Sequence, residues 1–283
     1  MMRSKLFVPA IRPELFEKAT KSGADAVCFD LEDSVAPARK VEARDHLQSY
    51  LRERQSIDQP LLLVRTNPVA SADFEQDVDC AVWKSISAIV LPKVESAEDV
   101  CASADIIAKF ERSRSLPTPL GILPTIESPR GLRFAAEIAL SSPRVLGLQI
   151  GFADLLEPLG VAQSNVAARN QIRLTLRLAA AEAHLDCYDS AYANFKDMSG
   201  YEDELRASRS LGFVGASCIH PSQIPIVNRV FVATSEELVS AARILEAAEQ
   251  AAQKGVAVTS IDGAMIDAPF IRRARKLLGK KDY

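Results

Sequence analysis

The segment Ala26-Val27-Cys28-Phe29-Asp30-Leu31-Glu32-Asp33 is a short, mostly apolar run that ends in two acidic residues. A run of this length that contains β-branched and aromatic side chains predicts a buried β-strand. The following residues 38–51 carry apolar side chains three and four positions apart, which is the spacing of one face of a helix. The segment therefore predicts a βα unit whose strand ends beside charged groups.

The same unit recurs along most of the chain, and we count eight copies. The predicted strands are residues 5–8, 26–31, 61–65, 87–91, 121–125, 145–151, 186–190 and 215–220. Helical patterns lie between them, for example at residues 13–22, 97–110 and 167–184. Eight alternating strands and helices favour an α/β fold, the (β/α)8 TIM barrel. An open, doubly wound sheet uses the same local units and is the alternative fold.

The pattern changes near residue 232. From there the sequence predicts a long helix at residues 235–254, a short extended segment at 256–261 and a final helix from about 269 to 278. We therefore predict a catalytic barrel domain over residues 1–232 and a C-terminal helical extension over residues 233–283. The extension is too small to fold alone. We expect it to pack on the barrel or to contact a neighbouring subunit.

Composition limits the class of protein. The length of 283 residues suits one barrel, and 48% hydrophobic and 25% charged residues are typical of a soluble enzyme. A formal net charge of -3 gives no broad positive surface, so we expect no nucleic-acid partner. Pro9 interrupts the N-terminal apolar run, and no apolar run approaches the roughly 20 residues of a membrane span. With scattered, unpaired cysteines, the sequence predicts a cytoplasmic protein with no membrane partner.

Ionisable residues follow almost every predicted strand. The C-terminal ends of the strands are where barrel enzymes carry their catalytic groups. Here these positions hold Glu32, Asp33, Arg65, Lys93, Glu127, Asp154, Asp189 and His220. A ring with so many carboxylates would repel itself if left bare, and a bound cation relieves that repulsion. Because carboxylates are hard oxygen ligands and no Cys or His adjoins Glu127 or Asp154, these two residues predict a Mg2+ site.

Each of these features also has a structural interpretation. Acids after strands can be solvated loop residues or helix caps, and His220 could simply fill the mouth of the barrel. The basic run at residues 272–276 is typical of a solvated helix face. Gly151 permits a tight turn that projects Asp154 towards the mouth, although many βα turns contain glycine for no other reason.

Four segments together resemble a known family. They are residues 3–10 (RSKLFVPA), 29–35 (FDLEDSV), 91–95 (LPKVE) and 218–224 (CIHPSQI). These segments resemble the HpcH/HpaI aldolase and citrate lyase β-subunit superfamily, specifically its citrate lyase β-like branch. The resemblance extends from residue 3 to the final helix. It implies a Mg2+-dependent (β/α)8 barrel, commonly a homotrimer, that cleaves or forms a carbon-carbon bond between an acyl thioester and a 2-oxo acid.

The resemblance implies roles at the metal. Glu127 and Asp154 resemble the family's two metal ligands, and Glu127 also counts among the substrate-binding residues. Arg65 resembles the substrate-binding arginine and is a catalytic candidate. Glu32 and Asp33 match an acidic pair beside the metal that would hold its water molecules and contact the substrate.

The resemblance also implies roles around the thioester. Ile219 and His220 resemble positions that line the thioester site, while Phe7 and Lys18 resemble positions that contact coenzyme A. Residues 263–269 (GAMIDAP) resemble a motif whose aspartate reaches the active site of the adjacent subunit. That aspartate is Asp267, which becomes the candidate catalytic acid-base.

The predicted function is a Mg2+-dependent retro-Claisen cleavage of a 3-hydroxyacyl-CoA, such as citramalyl-CoA, malyl-CoA or a citryl thioester, to acetyl-CoA and a 2-oxo acid. Among these we favour citramalyl-CoA, because the compact chain resembles the shorter, stand-alone members of the family. Residues 155–165 form a shorter segment than in many relatives. We therefore expect part of the acyl-group pocket to be missing or differently built. The alternatives are an aldolase that releases pyruvate from a free hydroxy-oxo acid, a citryl-carrier-protein lyase subunit active only in a complex, and a barrel that only binds acyl-CoA.

Overall fold

Eight parallel strands close into a barrel in the spatial order β1-β2-β3-β4-β5-β6-β7-β8. The protein is described by a computed structural model that covers residues 2–54, 60–253 and 255–280. The strands are β1 (Ser4–Pro9), β2 (Ala26–Asp30), β3 (Leu61–Arg65), β4 (Ala88–Leu91), β5 (Gly121–Ile126), β6 (Gly147–Ile150), β7 (Asp186–Asp189) and β8 (Gly215–Cys218). Because β1 pairs with β8 as well as with β2, the sheet is closed. The predicted TIM barrel is confirmed, and the open doubly wound sheet is excluded.

Helices connect successive strands, as the periodicity predicts. They are α1 (Phe16–Thr20), α2 (Lys40–Glu53), α3 (Phe74–Ala81), α4 (Ala97–Ser113), α5 (Pro129–Arg133), α6 (Ala135–Leu140), α7 (Phe152–Leu156), α8 (Val166–Glu182), α9 (Met198–Ser210) and α10 (Ile224–Val230). Short 3-10 helices lie at Pro13–Leu15, Pro37–Arg39, Glu157–Leu159 and Pro221–Gln223. The helix predicted at residues 13–22 is thus divided into a 3-10 turn and α1.

The core has two layers, because successive side chains of a strand point to opposite faces of the sheet. The inward-facing layer fills the barrel with Met2, Ala26, Cys28, Leu63, Ala88, Val90 and Leu123. The outward-facing layer packs beneath the helices and includes Leu6, Val8, Val27 and Phe29. All five residues of β2 are therefore buried, as expected for a parallel strand covered on both faces.

The chain divides into two compact units, Met1–Phe231 and Val232–Tyr283. The second unit contains α11 (Ser235–Gln253), β9 (Thr259–Ile261), β10 (Ala264–Ile266) and α12 (Ala268–Leu277). Residue 254, the predicted last residue of the long helix, lies outside the described residues, as do residues 281–283. Within this unit, Ala241 and Leu245 of α11 pack with Ala274 of α12.

The second unit contains an antiparallel hairpin where one extended segment was predicted. Its two-residue turn is Asp262-Gly263, and both residues have positive φ, 52° and 82°. An Asp-Gly pair with positive φ at both positions is typical of tight hairpin turns. The prediction was therefore incomplete. It gave one extended segment at residues 256–261 and no strand at Ala264–Ile266, which was considered only as part of the motif at residues 263–269.

None of the helices in the described part of the chain has the length and apolar character that a membrane crossing requires.

Candidate active site

A cavity of about 450 Å3 lies at the C-terminal ends of the barrel strands. Inward-facing residues near the ends of strands form its floor, and the loops that follow the strands form its rim. Six residues singled out from the sequence line it together: Phe7, Asp33, Arg65, Glu127, Asp154 and Ile219. We call this space the mouth cavity.

Arg65 is held at the mouth cavity by a buried aspartate. Arg65 ends β3 and is the ladder partner of Asp30, which ends β2. Its Nε and Nη2 donate to the two carboxylate oxygens of Asp30 at 2.7 and 2.8 Å. Burial by itself would lower the pKa of Arg65, but hydrogen bonds with Asp30 and the charges of Asp30 and Glu32 raise it. The guanidinium therefore stays charged, and the bidentate pairing fixes its plane.

Asp30 is a site residue that the sequence reasoning missed. It was counted as part of an apolar strand, and no role was assigned to it. The available signal was an acidic residue inside a run of buried residues, since such a group is almost never fully buried unless it is paired. The side chain of Asp30 is only 4% exposed.

Glu32 is also buried, at 4% exposure, and is placed between two cations. Its Oε1 accepts a hydrogen bond from Lys93 Nζ at 2.7 Å, and its Oε2 lies 2.8 Å from Arg65 Nη1. Burial raises the pKa of Glu32, and the two cations oppose that shift. Asp33 differs from Glu32, because its side chain is 57% exposed and its oxygens lie 3.6 Å or more from these cations.

Lys93, which follows β4, connects acids that follow other strands, Glu32 after β2 and Asp154 after β6. Besides its bond to Glu32, its Nζ lies 4.0 Å from Asp154 Oδ1. Its φ of 53° is in the left-handed region, which is uncommon for a residue other than glycine. In this conformation its backbone N–H donates to Glu127 Oε1 at 2.6 Å. The acidic ring is therefore not left bare, since Arg65 and Lys93 compensate part of its charge.

Glu127 follows β5 and is 5% exposed. Burial raises its pKa to about 8, the negative charges of Glu32 and Asp154 add to the shift, and the hydrogen bond from the Lys93 amide opposes it. A Cβ at position 151 would overlap Glu127 Oε2, so Gly151 is needed for this close approach. Glu127 therefore keeps negative charge only at a cost that a nearby cation would remove.

Asp154 lies in the first turn of α7, after β6. Its side chain is 43% exposed and faces the same cavity as Glu127. The two acids thus come from adjacent loops of the barrel and differ in burial.

This donor set fits Mg2+. Within residues 2–54, 60–253 and 255–280, no cluster of three or more His, Cys, Asp or Glu side chains is arranged to enclose a metal. Zn2+ normally requires three or four protein ligands, whereas Mg2+ commonly takes one or two carboxylates and keeps several water molecules. Burial, and then the negative charges of Glu32 and Asp154, raise the pKa of Glu127, and a cation bound beside it would oppose that shift.

Other predicted residues lie elsewhere. The exposed ring of His220 stacks on Phe195 at 5.0 Å, and its Nδ1 lies 2.7 Å from Ser222 Oγ, where it caps the 3-10 helix Pro221–Gln223. Lys18 is exposed on α1, outside the lining of the mouth cavity. Asp267 belongs to the second unit and directly precedes α12. Its buried Oδ1 has no hydrogen-bond partner among the described residues.

Comparison with known proteins confirms the family that the sequence resembles. The family model described as HpcH/HpaI aldolase/citrate lyase matches residues 3–221. The citrate lyase subunit beta of Escherichia coli is 33% identical over 282 residues, which cover 99% of this chain and 93% of that protein. A (3S)-malyl-CoA thioesterase of Cereibacter sphaeroides is 36% identical over 281 residues, covering 99% of this chain and 94% of the relative.

Solved structures agree. The CitE protein of Mycobacterium tuberculosis, crystallised with magnesium, acetoacetate and coenzyme A, superposes with a TM-score of 0.79 at 32% identity, covering 98% of this chain and 97% of that one. A citrate lyase beta subunit from the same organism, complexed with oxaloacetate and magnesium, gives a TM-score of 0.67 at 32% identity. That match covers 81% of this chain and 96% of the other.

The buried pair of Arg65 and Asp30 predicts that replacing Asp30 destabilises the protein more than replacing Asp33, which also lies near Arg65. Asp30→Asn should lower the free energy of unfolding by about 3 kcal/mol, since it leaves part of a buried guanidinium charge uncompensated. Asp33→Asn, the matched control, should cost less than about 1 kcal/mol because that carboxylate is exposed. Urea unfolding of both variants measures the difference, and equal costs would contradict the role assigned to Asp30.

Proposed function

The chain belongs to the HpcH/HpaI aldolase/citrate lyase family, and on that basis we propose that it is a Mg2+-dependent carbon-carbon lyase. Its substrate is a 3-hydroxyacyl-CoA, which it cleaves by a retro-Claisen reaction to acetyl-CoA and a 2-oxo acid. The observation that carries this proposal is the arrangement of Arg65, Glu127 and Asp154 around one cavity. We further propose that Phe7, Lys18, Ile219 and His220 contact the coenzyme A thioester.

The reaction moves negative charge across the site. The β-hydroxyl loses its proton while the bond to the α-carbon breaks, and the thioester fragment leaves as an enolate. When bound by Glu127 and Asp154, Mg2+ supplies a Lewis acid that lowers the pKa of a hydroxyl group. Asp33, and Glu32 beside it, would hold water molecules around the ion.

Arg65 binds the carboxylate of the substrate in this proposal. A guanidinium has five N–H donors; Asp30 takes two of them, and Glu32 Oε2 lies 2.8 Å from Nη1 and faces a third. Donors therefore remain for a carboxylate, and charge-assisted bonds of this kind are short and directional. Because Asp30 holds the guanidinium in one plane, Arg65 orients the substrate without first losing side-chain freedom.

Asp267 is proposed to exchange the proton with the enolate carbon. Its Oδ1 is buried without a hydrogen-bond partner in the described chain, and its side chain does not cap α12 although it holds the N-cap position. A carboxylate with no structural bond is a candidate for chemistry. We propose that it acts in the site of a neighbouring copy, in a cytoplasmic homotrimer, through the extension formed by residues 233–283.

Thioester hydrolysis is the second candidate function, because a relative 36% identical to this chain is a (3S)-malyl-CoA thioesterase. A thioesterase directs water at the thioester carbonyl and leaves the carbon-carbon bond intact. The free hydroxy-oxo acid aldolase and the carrier-dependent citryl lyase subunit are further alternatives in which coenzyme A is not bound.

Product analysis separates these functions. The isolated protein should convert at least one of citramalyl-CoA, malyl-CoA and citryl-CoA to acetyl-CoA and the matching 2-oxo acid when Mg2+ is present, and EDTA should stop the reaction. Mass spectrometry of the products is the measurement, with citramalyl-CoA expected to be preferred. Free coenzyme A together with the intact hydroxy acid would instead establish a thioesterase.

The metal assignment predicts the behaviour of Glu127→Ala. Losing one ligand should reduce Mg2+-dependent turnover by at least about 10²-fold, since metal polarisation contributes several kcal/mol. Glu98→Ala on the exposed side of α4 is the control and should keep full activity. Steady-state rates across a Mg2+ titration measure both. A Glu127→Ala enzyme that works normally in EDTA would refute the assignment.

The role of Asp267 predicts a loss of rate without a loss of metal. Asp267→Asn should lower kcat by about 10²-fold or more, the range of general acid-base catalysis, while the concentration of Mg2+ that gives half-maximal rate stays unchanged. Asp262→Asn, in the exposed turn of the same unit, is the matched control. Full turnover by Asp267→Asn would remove this residue from the mechanism.

A further inference from the structure

Lys5 is a buried cation inside the barrel. It is 1% exposed, and its Nζ has no hydrogen-bond partner among the described residues. Burial lowers its pKa to about 8, so the amine still carries a proton at neutral pH. An ammonium in the interior that makes no hydrogen bond is costly because it has lost its hydration, and its contact with the Phe7 ring offsets only part of that cost. Met or Leu would fill the same space without that cost.

The position of Lys5 relates it to the mouth cavity. Lys5 and Phe7 are two residues apart in β1 and therefore face the same side, the inside of the barrel. Lys5 Nζ lies 5.2 Å from the centroid of the Phe7 ring, and Arg65 Cζ lies 5.0 Å from the same centroid. Lys5 is also the ladder partner of Ser217 on β8, and Ser217 lines the cavity. Lys5 therefore lies immediately beneath the cavity floor.

The floor itself carries polar atoms that lack partners. Thr125 Oγ1, Gln149 Oε1 and Ser217 Oγ are buried, and none has a hydrogen-bond partner in the described part of the chain. All three residues line the mouth cavity. Thr125 and Gln149 are ladder partners on β5 and β6, so their side chains are neighbours. The hydroxyls of Thr125 and Ser217 can donate hydrogen bonds to an oxygen atom that carries negative charge, whereas Gln149 Oε1 is an acceptor and only the Nε2 of that amide can donate.

Without Lys5, the charges around the cavity would disfavour the binding of a ligand with a negatively charged oxygen. Five carboxylates stand near the cavity: Asp30, Glu32, Asp33, Glu127 and Asp154. Arg65 and Lys93 balance two of them, and a bound divalent cation would balance two more. One negative charge remains, which would repel an anionic ligand. The ammonium of Lys5 balances it from below.

We propose that Lys5 is a specificity-determining residue, whose charge favours ligands that place a carboxylate or enolate oxygen on the floor formed by Thr125, Gln149 and Ser217. The identity of the anion as a 2-oxo acid rests on the proposed function. The preference for an anion over a neutral ligand of the same shape follows from the position of Lys5 beneath the floor together with the hydroxyl donors of Thr125 and Ser217.

The test compares pyruvate with pyruvamide, its neutral analogue of similar size, in the presence of saturating Mg2+. Lys5→Met removes the charge and keeps the length of the side chain, while Lys84→Met removes an exposed lysine as the matched control. Lys5→Met should weaken pyruvate binding by about tenfold or more and leave pyruvamide binding unchanged. Calorimetric titration measures both affinities.

The melting temperature gives a second readout. Lys5→Met should melt at a higher temperature than the natural protein, because a buried charge that makes no hydrogen bond among the described residues is replaced by an apolar group. A variant that is more stable yet binds the anion less well supports the proposal, since a purely structural lysine would not separate these effects. Unchanged pyruvate affinity, or equal weakening of pyruvate and pyruvamide, would overturn it.

The outcomes for Lys5 and for the lyase reaction are distinguishable. If pyruvate binding depends on Lys5 but no hydroxyacyl-CoA is cleaved, only the proposed function fails. If cleavage proceeds and pyruvate binding does not depend on Lys5, only the present inference fails. If the natural protein binds no pyruvate with Mg2+ present, the present inference is contradicted, and the product analysis decides the lyase reaction independently.

Discussion

Negative charge gathered at one end of the barrel is the constraint on which the site depends. Closing eight parallel strands brings their C-terminal ends to one rim of the barrel, and five acids meet there. Arg65 and Lys93 neutralise Asp30 and Glu32 through short contacts of 2.7 to 2.8 Å. Among the described residues, Glu127 receives only a backbone hydrogen bond, and burial raises its pKa to about 8. A divalent cation held by Glu127 and Asp154, as we propose, would compensate the negative charge that Arg65 and Lys93 leave.

The arrangement is costly for folding. Asp30, Glu32, Lys5 and Arg65 are all largely buried, and ion pairs in such places generally contribute less stability than apolar residues of similar volume. The apolar layer beneath them, with Ala26, Cys28, Leu63 and Leu123, and the larger layer under the helices provide the stability that offsets this cost. The buried charges thus lie at the end of the strands that serves chemistry, and the apolar layers provide stability, as is typical of barrel enzymes.

Much of the fold could be predicted because the strands are apolar, β-rich and regularly spaced. The predicted and observed strand ends differ by at most two residues. The acids Glu127 and Asp154 could be placed at one rim for the same reason. The acid inside the apolar run at Asp30 was a signal of a paired side chain, but its partner could not be predicted, because Arg65 is 35 residues away in sequence and adjacent only across the ladder. The bridging by Lys93 depends on a left-handed backbone conformation that its sequence does not indicate. His220 ends a predicted strand, yet capping of the next 3-10 helix keeps its ring exposed. The candidacy of Asp267 came only from the family resemblance, since no local pattern marks it.

The central claim is that Glu127 and Asp154 together bind a magnesium ion at the mouth of the barrel. Mn2+ replaces Mg2+ at oxygen-rich sites and scatters X-rays anomalously, so crystals grown with Mn2+ locate the ion directly. The account predicts one strong anomalous peak bonded to an oxygen of Glu127 and an oxygen of Asp154, with the remaining positions filled by water. A peak at other residues, or no peak at the mouth of the barrel at saturating Mn2+, would contradict it.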